Sequence, residues 1–148
     1  MTITYANMCD AVAAHLALHC PALVRTQSYN ELTEGMQDTP AIQVYPEGLE
    51  NVATDSGTQF TTLRGGVIQE MHLLHVDFYA RQRSHINDDM TALVNGVDAL
   101  VTALEAAGCP PFGLDGIKNF QWSWNRVIFE YAGVSYMGAR FTLRLRTF

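Results

Sequence analysis

No apolar run in this chain approaches the roughly 20 residues that a helix needs to cross a bilayer. Its opening, MTITYANMCD, has neither the basic region nor the apolar stretch of a secretion signal. The chain is therefore expected to be made and kept in a cytoplasm. Cysteine is scarce: Cys9, Cys20 and Cys109 are widely spaced, odd in number and form no CxxC pair. They read as reduced, mostly buried thiols, not as a disulfide framework. Basic residues are few, 9 against 15 acidic ones, for a net charge of −6 at pH 7. That balance argues against dedicated nucleic-acid binding. The common signatures of chemistry are missing too: there is no GxSxG elbow, no GxxxxGK[ST] phosphate loop and no HExxH.

What is present points to one folded domain. Apolar residues make up 48% of 148, in short periodic stretches, enough for a sizeable core. Charge is unevenly spread. Glu31, Glu34, Asp38, Glu47, Glu50 and Asp55 lie between Asn30 and Gly57 with no Lys or Arg among them. Lys118, Arg126, Arg140, Arg144 and Arg146 lie in the last thirty or so residues, against Glu130 alone. An acidic middle and a basic end suggest pairing, within the chain or between copies.

Periodicity places the elements. ANMCDAVAAHLALHC puts Met8, Val12, Leu16 and His19 near one helix face, and Pro21 ends the helix. Leu23 to Thr26 fits a short strand, Asn30 to Gln37 a helical turn, and AIQVYP a strand. From Pro46 to Gly66 periodicity fails, which predicts a long, mobile or functional loop. Val67 to Gln82 is a long strand, apolar on both faces. Asn87 or Ser84 is placed to cap the next helix, with Asp88 and Asp89 suited to its positive end. Met90, Leu93, Val94, Val97, Leu100, Val101 and Leu104 form its apolar stripe, and Gly108 stops it. NFQWSWNRVIFEY and VSYMGARFTLRLRTF, joined at Ala132-Gly133, predict a β-hairpin. The fold class expected is α+β: a mostly antiparallel sheet with a C-terminal hairpin, packed by two helices on one face, as one domain over 1–148.

Each candidate for chemistry has a plainer reading. His15 and His19, four apart on a helix with Cys20 beside them, have zinc-like spacing, but Leu16 stands where a zinc protease has Glu. Helix-end histidines favoured by the dipole are the simpler account. His72 and His75, three apart in a strand, face opposite sides and cannot chelate together. Asp88-Asp89 reads as helix-end charge matching, and not as a catalytic carboxylate pair. Trp122 and Trp124 read as core beneath the helix stripe, with base stacking the alternative. No metal, cofactor or catalytic constellation is expected, and the chain is not read as an enzyme. The closing RFTLRLRTF puts Arg140, Arg144 and Arg146 on one strand face and Phe141, Leu143 and Leu145 on the other. A solvated face is the bland account of those arginines. The acidic stretch elsewhere favours a partner.

The run Tyr131-x-Gly133-Val134-x-Tyr136-x-Gly138-Ala139-Arg140, within EYAGVSYMGARFTLRLRTF, resembles the closing hairpin of the tail terminator (tail completion) proteins of long-tailed bacteriophages. An N-terminal helix, the PAIQVYPEG strand, a loop, a long strand reaching Tyr79-Ala80-Arg81 and one long helix are similar in order across most of the chain. The resemblance implies a structural virion protein, assembled in the host cytoplasm, that closes a six-fold ring on the head-proximal end of the tail tube. Such a ring ends tube polymerisation and joins the tail to the head connector. It implies as partners other copies of the chain, the tail tube protein, a connector or neck protein, and DNA passing through the lumen without sequence-specific contact. Neck and head-closure proteins are similar enough to be the alternative, and a small metal-dependent enzyme is a more distant one. Residues proposed for subunit or partner contacts are Glu47, Glu50, Asp55, Arg64, Arg81, Arg83, Arg140, Arg144 and Arg146.

Overall fold

A computed structural model of the chain describes residues 3–33, 38–51 and 70–147. The elements in order are α1 (Tyr5–His19), β1 (Arg25–Gln27), β2 (Ala41–Asn51), β3 (Glu70–Gln82), α2 (Ile86–Glu105), a 3-10 turn (Pro111–Gly113), β4 (Ile117–Tyr131) and β5 (Val134–Thr147). The strands form one sheet in the order β1-β2-β3-β5-β4. β1 runs parallel to β2, and every other pairing is antiparallel. This is the α+β class, with β4 and β5 as the C-terminal hairpin. Ala132 and Gly133 make its turn with both residues at positive φ, 50° and 81°.

Both helices lie on one face of the sheet. Register puts Ile42, Phe78 and Ala139 in one row of that face, and Val44, Val76 and Phe141 in the next. Met8, Val12 and Leu16 of α1 and Leu93, Val97, Leu100 and Leu104 of α2 complete a continuous apolar core with them. Burying such side chains contributes about 1.5–3 kcal/mol each. α2 comes down closely because Gly96 sits on the ring of Phe78; a Cβ there would overlap Phe78 Cζ and Cε2. The apolar stripe was read one residue too wide: Val94 is half exposed. His19 likewise is exposed, not part of the inward face of α1. Among the described residues no helix is long and apolar enough to cross a membrane.

Two further expectations change. Pro46 to Asn51 is not loop but the second half of β2, paired with β3 through a register irregularity between Pro46 and Gly48. That irregularity hides the alternation a strand normally shows. The rest of the expected loop, with Asp55 and Arg64, lies outside the described residues. Residues 30–33 form turn and bend instead of the start of a helical turn, and 34–37 lie outside the described residues.

The cap of α2 is also different. His85 holds the N-cap position without a side-chain hydrogen bond, so neither Ser84 nor Asn87 caps the helix. Asp89 instead reaches back, fully buried, and accepts from the Ser84 backbone N–H at 3.3 and 3.2 Å. Arg81 Nε at 3.2 Å and Arg83 Nε at 3.8 Å balance its charge. Asp89→Ala removes the acceptor of that N–H and the counter-charge of both guanidinium groups, and should lower stability by about 2 kcal/mol. Exposed Asp88→Ala should change it by under about 0.5 kcal/mol. Thermal melts of the two variants check the contrast.

Candidate functional site

Of the charged residues singled out above, the sheet face turned away from the helices carries Glu50, Arg140, Arg144 and Arg146. Cross-strand partners point to the same side, so register maps this face row by row. One end row is Glu50, Met71 and Arg146; the next is Gly48, Leu73, Arg144 and Gln121. Tyr45, His75, Thr142 and Ser123 follow, and then Gln43, Asp77, Arg140 and Asn125. Beyond them Tyr79, Phe129 and Tyr136 form a small second core with Ala41.

Arg140 is already engaged. Its Nε donates to Asp77 Oδ1 at 2.8 Å and its Nη2 to Oδ2 at 3.2 Å. Tyr45 donates to the same Oδ2 at 2.6 Å. Asp77 is only 2% exposed, so a buried carboxylate is held by three donors, two of them on one cation. The hydrogen bond to Asp77 raises the pKa of Arg140 further, against burial. Burial, and then the hydrogen bond to Asp77, pushes the Tyr45 hydroxyl upward. With both oxygens occupied, this arrangement ties β2, β3 and β5 together and leaves Asp77 poorly placed to accept a substrate proton. A second chain of hydrogen bonds runs beside it. Tyr79 donates to Gln43 Oε1 at 3.3 Å, so Tyr131 donates to Tyr79 at 2.7 Å. Gln43 Nε2 donates to Gln27 Oε1 at 3.0 Å and to the Thr33 carbonyl at 2.8 Å. The chain thus links β4, β3, β2 and β1. Leu32, Thr33, Gln43, Tyr45, Asp77, Tyr131 and Arg140 line an open hollow of about 380 Å³ over the two networks.

The remaining residues fall into two sets. Arg81 and Arg83 are taken by Asp89, on the helix side, so they do not join the arginine face. Glu47 Oε2 lies 3.4 Å from His75 Nδ1, without the geometry of a hydrogen bond. Glu50 is exposed and Arg144 is exposed, while Arg146 is half-buried with its Nε shielded and without a hydrogen-bond partner among the described residues. Among the described residues no ion pair joins the acidic stretch to the basic end; Arg25 meets Asp38 at 3.4 Å, and Arg140 meets Asp77.

The alternative sites fare differently: the His15 and His19 rings stay together, centroids 4.2 Å apart, without a third ligand among the described residues. His15 Nε2 donates to the Ala103 carbonyl at 2.7 Å, and Cys20 Sγ to the Ala99 carbonyl at 3.5 Å, so both serve to fasten α1 to α2. Burial raises the Cys20 thiol pKa. Among the described residues no three His, Cys, Asp or Glu side chains converge. Trp122 and Trp124 lie on the helix side, opposite Leu143 and Phe141, whereas His75 faces the other way. Trp122 packs on the core, but Trp124 is 40% exposed and only partly meets its expected core role. Asp77 was not singled out from sequence, and Asp89 was placed at the helix end without its burial or its two arginine partners. The one available signal for Asp77 was a lone carboxylate inside an otherwise apolar strand, HVDFYA.

The chain matches no known family model and no curated protein sequence.

Proposed function

We propose that the chain is a structural subunit of a long-tailed bacteriophage that closes a ring on the head-proximal end of the tail tube, ends its polymerisation and joins it to the head connector. The observation that carries the reading is a charge imbalance on one sheet face. Arg144 and Arg146 lack carboxylate partners among the described residues, and Glu50, two strands away, lacks a cation. Strands are about 4.8 Å apart, so the two sets lie close to opposite borders of the face. A neighbour docked across those borders supplies each with its counter-charge, and repeated heterologous contacts of this kind close into rings. The hairpin motif adds the tail context by resemblance. Arg140 drops out of the contact set, because Asp77 holds it.

Native mass spectrometry and electron microscopy, with and without the tail tube protein, test the reading. Rings on the tube end are the expected result; monomers alone in both samples overturn it. Arg144→Glu sharpens the test. Its side chain is exposed, so the variant should melt within about 0.5 kcal/mol of the parent. Like charges brought together at an interface cost several kcal/mol, so ring closure should be lost. Glu50→Lys added to it should restore closure. Normal rings in the single variant would return Arg144 to the role of a solvated side chain.

A further inference from the structure

Among the described residues, strand β4 has a partner on one side only. β5 pairs with it from Ile117 to Tyr131, and β4 ends the sheet order. Its outer edge therefore offers backbone N–H and C=O groups along a stretch that holds no proline. The opposite edge is poorer: β1 has 3 residues, and β2 beyond it carries Pro46 and the register irregularity. Proline has no N–H to donate, and a bulge turns an edge away.

The side chains beside the open edge are large and apolar. Phe120, Trp122, Trp124, Arg126 and Ile128 face the helix side, opposite Leu145, Leu143, Phe141, Ala139 and Met137. The helices leave this strip partly uncovered: Trp124 is 40% and Ile128 42% exposed, and Val94 and Ile86 of α2 are exposed as well.

We infer that the β4 edge pairs antiparallel with the β4 edge of a second copy, about a two-fold axis at Trp124. The order of residues is the reason. In that register, residues equally far from Trp124 face each other across the two chains. Lys118 meets Glu130, Arg126 meets Trp122, Phe120 meets Ile128, and Ser123 meets Asn125. Every charge on the strand finds an opposite charge or an aromatic ring, and aromatic pairs and cation–π contacts stabilise such ladders. Other centres lose this match. Centred on Ser123, Lys118 faces Ile128; centred on Asn125, Glu130 faces Phe120; centred on Arg126, that residue faces its own copy. Lys118 sits at the irregularity between Ile117 and Asn119, at the end of the ladder, where its long chain reaches past the last backbone pair. The contact is isologous and joins two five-stranded sheets into one. It rests on the edge alone, and holds whether or not the chain closes rings.

Cross-linking of the full chain tests the register. Cys109, the exposed thiol, is first replaced by serine; Cys9 and Cys20 are buried. Ser123→Cys and Asn125→Cys are then made separately, at exposed positions that leave the core intact. Under mild oxidation the mixture should give a disulfide-linked dimer containing one of each, in clear preference to either variant alone. Sedimentation gives the second readout. Lys118→Glu and Glu130→Lys should each weaken pairing about tenfold, and the double variant should recover it. Three outcomes overturn the inference: a chain that sediments as monomer at every concentration, equal cross-linking in the unmixed variants, or a dimer indifferent to the single charge reversals.

Discussion

Replacing Arg140 with methionine should cost the fold about 3 kcal/mol, and more than replacing its partner Asp77 with asparagine. The asymmetry follows from exposure. The Asp77 side chain is 3% exposed, whereas that of Arg140 is 38% exposed. Without Arg140, a carboxylate stays buried with the Tyr45 hydroxyl as its remaining side-chain donor. Without the Asp77 charge, Arg140 turns partly into water and still lies 5.8 Å over the Phe129 ring. Asp77→Asn should therefore cost only about 1–2 kcal/mol. The double variant should be less destabilised than the sum, because neither change then strands a charge. Urea unfolding of the four proteins measures the cycle. Equal losses in the two single variants would mean that the pair does not lie in the buried setting described.

Gly138→Ala should be at least as damaging, at about 3 kcal/mol or more. Gly138 lies in β5 between Tyr79 of β3 and Val127 of β4. A Cβ there would overlap the Phe78 carbonyl oxygen, and would stand 2.6 and 2.9 Å from two atoms of the Phe129 ring. A ring can swing aside. A strand carbonyl cannot, since moving it breaks the ladder beside the β3 irregularity at Tyr79 and Arg81. Gly48→Ala is the matched control: its Cβ would meet only Leu73 Cδ1, at 3.9 Å. That variant should stay within about 0.5 kcal/mol of the parent. Thermal melts of both separate steric exclusion from the general cost of altering a strand glycine.

These sites show where sequence reading reaches and where it stops. α2 was legible because its apolar residues repeat at the helical period over about four turns, and the hairpin because Phe120, Trp122 and Trp124 alternate strictly. The width of the α2 stripe was less so: Val94 has the right spacing, yet it stands half exposed. The extension of β2 past Pro46 was hidden by its irregular register, since a skipped residue shifts the alternation to the other face. The arginine face was legible from even spacing alone. Its inner division was not. That Arg140 differs from Arg144 depends on which residue of β3 stands opposite, and strand register is a long-range property with no local marker. The same holds for Asp89, whose role depends on two arginines that precede the helix.

β5 stands between β3 and β4, although it leaves the ribosome after the other four described strands. Until it arrives, β3 has β2 on one side and nothing on the other, and Leu74, Val76 and Phe78 lack their neighbours Leu143, Phe141 and Ala139. Until then the sheet is half-built, and long-range strand pairing of this kind closes slowly. A product stopped before Met137 keeps both helices and most of its strands, yet has no means of finishing the core. Quality control by chaperones and proteases thus has a sharp criterion for this protein: the hairpin is either inserted or it is not.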